Sequence, residues 1–349
     1  MRFGTFHLAE ATDVLSAGEA IAAELRQIVL AEDLGFDSVW LAEHHFTSYC
    51  AVNDALSFAS HVAAVTSTVR IGIAVSVLPL HHPLEVAERA TLVDVLSHGR
   101  LLLGVGQGYS ATEFSGFGLD LADRRERFEE SLDVVLKAWR YERFDHKGEF
   151  WTLNDVALSP RPLQTPHPQI LVASSGSPET VLRAASRGLP LIFADDFLTP
   201  EDVANGIADY RVGASEAGLP PDGAGVLVGD SWVMLKIHIA ESQKEARRMA
   251  GPYALWRHEK VHELRPAGRS PALPSTDATV DDLTSFGLYG TPDDVAKKIE
   301  EFEDAGVRSI MLSFGFGGMP EMMVRRSMKR FAAEVAPAFD HSTPVARTN

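Results

Sequence analysis

The chain has 349 residues, 45% hydrophobic and 23% charged, which is typical of a globular protein large enough for a substantial core. Its formal net charge of −16, from 48 acidic and 32 basic residues, argues against nucleic-acid binding because phosphate backbones would be repelled. No apolar run approaches the roughly 20 residues of a membrane span. With one cysteine, Cys50, and no signal-peptide pattern at the N-terminus, we expect a cytoplasmic protein.

Short apolar runs alternate with amphipathic helical patterns along nearly the whole chain. Most of the runs lack strict alternation, as expected of strands that are covered on both faces. The helical pattern over 20–35 ends at Gly35, and the pattern over 83–99 has Pro83 near its start. Eight runs are predicted as strands, namely 2–8, 38–44, 70–78, 100–106, 169–174, 190–195, 232–240 and 309–314.

Eight strand–helix units predict an α/β fold, a (β/α)8 TIM barrel. The alternative is an open doubly wound sheet, which usually has fewer strands. Residues 107–168, after strand 4, are too long for a simple connection and contain a helix, a small hairpin pattern and a proline-rich return. Residues 251–290, after strand 7, are rich in Gly, Pro, Ser and Thr, as in a functional lid or a disordered segment. We therefore expect one barrel with insertions after strands 4 and 7.

The second predicted strand runs into Glu43, His44 and His45, where a barrel of this type has its active site. Adjacent strand residues point to opposite faces, so His44 and His45 cannot easily share one metal ion, nor can His81 and His82. This disfavours a catalytic metal. A single histidine beside a carboxylate at a strand end suits proton transfer near neutral pH, and we assign that role to His44.

The segment ASSGSPET, residues 173–180, follows the fifth strand and has two interpretations. Free backbone N–H groups and the helix dipole at such a turn favour an anion, typically a phosphate. Alternatively, Ser177 is an ordinary N-cap with Pro178 at the first helical position. The motif alone leaves both open. The Gly-rich turn GVGQGY, residues 104–109, is expected at the same mouth of the barrel.

Over nearly its whole length the chain resembles the bacterial luciferase-like flavin-dependent monooxygenases. The segments GFDSVWLAEHHF, HPLEVAERATLVDVLSHGR, PRPLQTPHPQILVASSGS and YGTPDDVAKKI carry the resemblance. Members of this family form a (β/α)8 barrel with an inserted lid, and the FMN branch often has Glu-His-His at the second strand. The resemblance implies one barrel domain over 1–340, a lid at 257–289 and a C-terminal tail at 341–349.

The resemblance also assigns residues to the flavin site. His44 matches a histidine of acid–base chemistry, His45 matches a second, structural histidine, and Glu43 is expected to orient His44. The bond Ala74–Val75 matches a non-proline cis peptide behind the flavin ring. The cofactor-binding positions implied are Ala74, Val75, Gly106, Gln107, Tyr109 and the phosphate turn Ser175, Gly176 and Ser177. Glu88 matches a carboxylate at a subunit interface, which implies a homodimer or a heterodimer with a related subunit.

Two positions depart from the luciferase pattern. Gln107 replaces an arginine that grips the phosphate, and a neutral amide holds phosphate less strongly than a charged fork. Gly106 replaces a cysteine near the ring, which is expected to leave room for a different substrate. The substrate pocket is predicted from small or apolar residues at the expected mouth together with one histidine, namely Phe6, His7, Ala42, Phe46 and Trp232.

The resulting functional prediction is a flavin-dependent monooxygenase that uses reduced FMN and O2. It would oxygenate a partly hydrophobic small molecule through a C4a-(hydro)peroxyflavin. The chain shows no second, nicotinamide-binding domain, so a separate flavin reductase is the expected source of reduced flavin. Two alternatives remain, an F420-dependent hydride-transfer oxidoreductase and a non-catalytic flavin-binding subunit.

Overall fold

Eight parallel strands close into a barrel in the computed structural model, which describes residues 1–264 and 274–339. The strands pair in the order β10-β9-β11-β1-β2-β3-β4-β7-β8, and pairing of β8 with β9 closes the ring. In chain order they are β1 (Arg2–His7), β2 (Ser38–Leu41), β3 (Arg70–Val77), β4 (Leu101–Gly106), β5 (Phe144–Lys147), β6 (Thr152–Val156), β7 (Gln169–Ser174), β8 (Leu191–Phe193), β9 (Trp232–Ile239), β10 (Leu288–Gly290) and β11 (Ser309–Ser313).

Helices surround the barrel and fill the two insertions. They are α1 (Ala17–Asp33), α2 (Ala55–Val65), α3 (Pro83–Leu96), α4 (Ala111–Gly116), α5 (Arg124–Arg140), α6 (Pro178–Ser186), α7 (Pro200–Glu216), α8 (Pro221–Gly229), α9 (Gln243–Leu264), α10 (Val280–Ser285), α11 (Pro292–Asp304) and α12 (Glu321–Arg330). In the ranges described, no helix combines the length and the apolar character that crossing a membrane requires.

The eight predicted strands and the (β/α)8 barrel are confirmed. The predicted strand 38–44 is too long, because β2 ends at Leu41 and the residues after it form a loop. The short strand β10, which pairs with β9, was not predicted. Three residues carry too little periodicity to stand out from the loop around them.

Both predicted insertions are present. The insertion after β4 holds α4, α5 and the antiparallel hairpin of β5 and β6, and the insertion after β9 holds α9, α10 and β10. Of the predicted lid, residues 257–264 belong to α9 and residues 274–289 include α10, whereas residues 265–273 lie outside the described residues. The predicted tail, 341–349, also lies outside them.

Two apolar layers hold the fold together, as they do in barrels generally. One cluster fills the barrel interior, where the rings of Trp40 and Trp232 lie 5.0 Å apart. A larger cluster packs the outward faces of the strands against the helices. In β1, Phe3 belongs to the outer cluster and Phe6 to the inner one, so the strand faces alternate as the pleat requires.

Candidate active site

His44 lies in the loop after β2 and is held by a residue of the β4 insertion. Its Nδ1 is 2.9 Å from Oε1 of Glu113 in α4, and its Nε2 is 3.5 Å from the Tyr109 hydroxyl. The same Glu113 oxygen accepts the backbone N–H of His45 at 2.9 Å. Because the carboxylate acts as an acceptor, Nδ1 of His44 carries the proton, and Nε2 is left to accept one.

Glu43 does not orient His44, so that prediction is wrong. Its Oε1 lies 2.6 Å from Nε2 of His81 and 3.5 Å from Nε2 of His45. Burial alone would raise the Glu43 pKa, but the two neighbouring imidazoles, His45 and His81, lower it to about 2. For His81 the two effects have the opposite signs. Burial alone would lower its pKa, but the hydrogen bond to Glu43 raises it above the ordinary value. The prediction failed because it extended strand geometry past Leu41, where β2 has ended.

Small side chains line the inner wall of the barrel near His44. We call this group the small-residue shelf; it consists of Ala42, Ala74, Val75, Ala173 and Ala194. The Ala74–Val75 peptide is cis, as predicted. Gly106 does not open space for a substrate, which corrects that expectation, because a Cβ there would lie 2.8 Å from Cγ2 of Val75. Gln107 follows directly and is half-buried.

The turn after β7 leaves the start of α6 uncapped. Ser177 is the N-cap residue and Pro178 follows at the first helical position, as one interpretation predicted, but the Ser177 side chain accepts no hydrogen bond from the helix. Gly176 has φ +93° and donates its N–H to Ser174 Oγ. The turn from Ser175 to Ser177 is half-buried to exposed. An anion at this turn would meet first-turn N–H groups that no Ser177 side chain occupies.

Arg125 brings a positive charge to the same turn, and the sequence analysis missed it. Its Nη2 lies 2.7 Å from Oε2 of Glu179, which is in the first turn of α6. Arg125 sits on α5, some fifty positions before the turn in sequence, so no local motif links the two. It places a guanidinium at the start of α6, beside the turn predicted to bind phosphate.

Three residues predicted for the substrate pocket lie elsewhere. The His7 ring turns towards α1, with Nδ1 2.7 Å from Glu24 and Nε2 2.7 Å from Thr5, because it alternates with the inward-facing Phe6. Trp232 begins β9 and therefore lies at the opposite, N-terminal end of the barrel. Phe46 is 61% exposed and packs on Phe117. Phe6 and Ala42 do belong to the interior cluster.

A buried charge cluster fixes the last turns of α9 to the barrel mouth. Nε of Arg257 lies 3.0 Å from Oδ2 of Asp196 and 3.6 Å from Oε1 of Glu10, and its Nη1 donates to Ser313 Oγ at 3.1 Å. Nζ of Lys236 is 3.6 Å from the same Asp196. Burial raises the Glu10 pKa to about 8, although Arg257 opposes the shift. These residues come from five separate segments, which is why no sequence pattern revealed them.

The sequence also contains two histidines at a spacing common in zinc sites, which was not recognised above. Residues 258–262 read His-Glu-Lys-Val-His, the H-E-x-x-H pattern of many zinc sites. On α9, however, Nε2 of His258 bonds the carbonyl of Ser275 and Nε2 of His262 bonds the carbonyl of Pro274, each at 2.9 Å. Both nitrogens thus serve to fasten the segment around residues 274–275 to α9.

Comparison with models of protein families shows the family to which this chain belongs. A family model described as luciferase-like monooxygenase matches residues 1–309. The chain belongs to the luciferase-like monooxygenase family. This family member is 40% identical to the uncharacterized protein y4vJ of Sinorhizobium fredii over 189 residues, which is 54% of each chain. It therefore spans about half the length of that relative.

Longer matches connect it to named monooxygenases. It is 26% identical to limonene 1,2-monooxygenase of Rhodococcus erythropolis, over 93% of this chain and 83% of that one. It is 23% identical to the oxygenase component of the flavin-dependent trigonelline monooxygenase of Acinetobacter baylyi, over 98% and 96% of the two chains. These relatives support an oxidoreductase activity for this luciferase-like family member.

Solved structures of the same fold include both FMN and F420 proteins. The monooxygenase RslO1 of Streptomyces bottropensis superposes with a TM-score of 0.86 at 29% identity, covering 97% of this chain and 100% of that one. The oxygenating constituent of 3,6-diketocamphane monooxygenase from Pseudomonas putida, in complex with FMN, has a TM-score of 0.78 at 21% identity, over 97% and 98%. An F420-dependent secondary alcohol dehydrogenase has 0.76 at 20%, over 96% and 98%. The last two comparisons establish the fold alone.

Proposed function

We propose that this chain is the oxygenase of a two-component system that uses reduced FMN and O2 to oxygenate a small, partly hydrophobic molecule. When bound, reduced FMN supplies the electrons that activate O2. The observation that carries the proposal is the position of His44, whose Nε2 points to Tyr109 beside the small-residue shelf. One barrel domain over 1–340 would hold the whole site, with 257–289 as its lid.

The shelf fits a flat aromatic ring system. Its side chains are four alanines and one valine, which lie on or just after β2, β3, β7 and β8 at the C-terminal end of the barrel, so a planar ring could lie on them without meeting a long side chain. Gly106 belongs to the same floor, since the methyl of Val75 fills the space where its side chain would be. Such a floor is apolar and built of small side chains, which suits the face of a ring system.

The turn after β7 fits the phosphate of FMN. β7 leads from Ala173 of the shelf directly into this turn, so a ligand lying on the shelf would carry its phosphate a few residues further along the same strand. The uncapped first turn of α6 would supply N–H donors, and Ser175 and Ser177 would supply hydroxyls. Arg125 would supply the charge that Gln107 lacks, by exchanging Glu179 for the phosphate.

His44 would move the proton at Nε2. Glu113 keeps the proton of the neutral ring on Nδ1 and so leaves Nε2 as the accepting atom. Tyr109, at 3.5 Å from Nε2, would pass or hold a proton between His44 and the shelf. Glu43 contacts the rings of His45 and His81, so these residues would hold the loop conformation rather than touch a ligand on the shelf.

Water would be kept from the site by the lid and its stem. Arg257 holds α9 against Asp196 and Glu10 at the barrel mouth, and Val261 and Leu264 of α9 belong to the interior apolar cluster. This apolar underside of α9 would cover a ligand on the shelf and favours a partly hydrophobic substrate.

The partners proposed are a flavin reductase and a second related subunit. The trigonelline relative is named as an oxygenase component, which supports a separate reductase here. On α3, Leu92 and Leu96 are 47% and 49% exposed and lie on the same side as the exposed Glu88. An apolar strip of this kind supports a dimer, either with a second copy or with a relative of this chain.

Titration with photoreduced FMN in the absence of O2, followed by rapid mixing with aerated buffer, tests the proposal. We expect tight binding of reduced FMN and, after mixing, a long-lived absorbance distinct from that of reduced and of oxidised FMN. The matched control is reduced riboflavin, which lacks the phosphate. Immediate return to oxidised FMN would contradict the proposal. Reduction of a substrate by reduced F420 without O2 uptake would favour hydride transfer, and binding without turnover would favour a non-catalytic subunit.

A further inference from the structure

Three potential metal ligands converge behind the His44 loop. Nε2 of His81 and Nε2 of His45 lie 2.6 Å and 3.5 Å from Oε1 of Glu43, and the three ligand atoms lie within 4.8 Å of one another. We propose that this Glu43–His45–His81 triad binds a divalent transition-metal ion of the Zn²⁺ class. The site does not depend on the flavin reaction proposed above.

The triad combines histidines from two different pairs of adjacent residues. Strand geometry separates His44 from His45 and His81 from His82, because adjacent residues point to opposite faces. The triad instead takes one histidine from each pair. His45 comes from the loop after β2, and His81 follows the short helical turn 78–80 at the end of β3. Parallel pairing of β2 with β3 brings the two segments side by side.

The donor set is that of a transition-metal site. Two imidazoles and one carboxylate suit Zn²⁺, Co²⁺ or Fe²⁺, whereas Mg²⁺ and Ca²⁺ prefer oxygen ligands. Glu43 and His45 are each less than a tenth exposed, at 3% and 6%. A second carboxylate oxygen or a water would complete a four-coordinate shell.

His45 supplies the independent observation. Its Nε2 is buried and has no hydrogen-bond partner among residues 1–264 and 274–339, although it points at the Glu43 carboxylate. Buried polar atoms nearly always have a bonding partner, so an unpaired buried nitrogen indicates that a water or an ion binds there. A proton between Glu43 and His81 accounts for their short contact but leaves His45 without a partner. A metal ion would engage all three residues.

Metal binding would require only a small rearrangement. Two ligands of one tetrahedral Zn²⁺ ion lie about 3.3–3.5 Å apart, given Zn–ligand distances of about 2.0–2.1 Å. The distance from His45 to Glu43 already has this value. The imidazole of His81 would release its proton and withdraw from Glu43 by about 1 Å or less. Arg89, the nearby cation, is paired with Asp54 and Glu85, so its charge is compensated.

Titration of the metal-free, untagged chain with Zn²⁺ against a chromophoric chelator tests the site. We expect one equivalent bound, a rise in melting temperature, and at least ten-fold weaker binding for His45→Asn and for His81→Asn. The matched control is His262→Asn, which alters another pair of neighbouring histidines, His258 and His262, outside the triad. Its affinity for Zn²⁺ should stay at the wild-type value.

Equal affinity of the triad variants and the wild type, or a loss in His262→Asn alone, would overturn the proposal. If a triad variant does not fold, the wild type with Co²⁺ decides the question. Intense visible bands of a four- or five-coordinate ion at one equivalent would support the site. The weak spectrum of hexa-aqua Co²⁺ would overturn it.

Discussion

Oε1 of Glu113 accepts two hydrogen bonds, one from Nδ1 of His44 and one from the backbone N–H of His45, each at 2.9 Å. One oxygen therefore fixes the tautomer of His44 and the conformation of the loop that carries it. The carboxylate is 1% exposed, so water does not compete for these bonds. His44 Nε2 is thereby directed to Tyr109, which packs against the interior apolar cluster.

Replacing Glu113 should slow the proton-transfer step without removing the flavin site. In Glu113→Gln the amide can present its NH2 group to Nδ1, which would favour the wrong tautomer of His44. We expect product formation coupled to flavin oxidation to fall about 10- to 100-fold, with unchanged affinity for reduced FMN. Glu126→Gln, an exposed change on α5, is the control. Equal rates for the two variants would show that Glu113 does not act through His44.

The sequence predicted what depends on short-range patterns. Eight apolar runs with helical segments between them are sufficient to specify the barrel, and a histidine at a strand end is sufficient to locate the mouth. Glu113 and Arg125 were missed because their partners, His44 and Glu179, are distant in sequence and meet only through the β4 insertion. The placement of His7 in the substrate pocket could have been avoided, because side chains alternate along β1 and His7 therefore faces away from the side that Phe6 faces.

Arg125 should recognise the phosphate of FMN and not its ring. We expect Arg125→Ala to weaken FMN binding about 10- to 100-fold, the size of a lost charge-assisted hydrogen bond, and to leave riboflavin binding unchanged. Fluorescence titrations with the two ligands measure the difference. Arg183→Ala removes another guanidinium that pairs with Glu179, at 3.1 Å, from one turn further along α6. A similar loss in both variants, or for riboflavin, would argue against a phosphate contact.

We expect that the Val75 side chain leaves no room for any residue larger than glycine at position 106. A Cβ at position 106 would lie 2.8 Å from Cγ2 of Val75, and the branched valine side chain has little freedom to move away. We expect Gly106→Ala to lower the free energy of unfolding by about 1–3 kcal/mol and to weaken flavin binding. Adding Val75→Ala should recover much of both losses, as urea unfolding and flavin titration of the double mutant would reveal. If the two changes are simply additive, the two side chains do not compete for this space.

Glu10 should make the protein less stable as the pH rises. Its pKa is about 8 in the fold against 4.5 for an ordinary glutamate, because burial disfavours the carboxylate. Between these values the unfolded chain has released a proton that the folded chain still holds. Raising the pH therefore favours unfolding by about 1.4 kcal/mol per pH unit from this group, an effect that is absent below pH 4.5 and complete above pH 8.

Glu10→Gln should abolish that slope, because the amide stays neutral at every pH in the window. Relative to the wild type, the variant should gain stability steadily in urea unfolding at pH 5, 6.5 and 8. Glu126→Gln, on the surface, should follow the wild type throughout. A constant difference between Glu10→Gln and the wild type would mean that Glu10 is ionised in the fold over this range. In that case the Glu10–Arg257 contact is a buried ion pair rather than a charge beside a neutral acid.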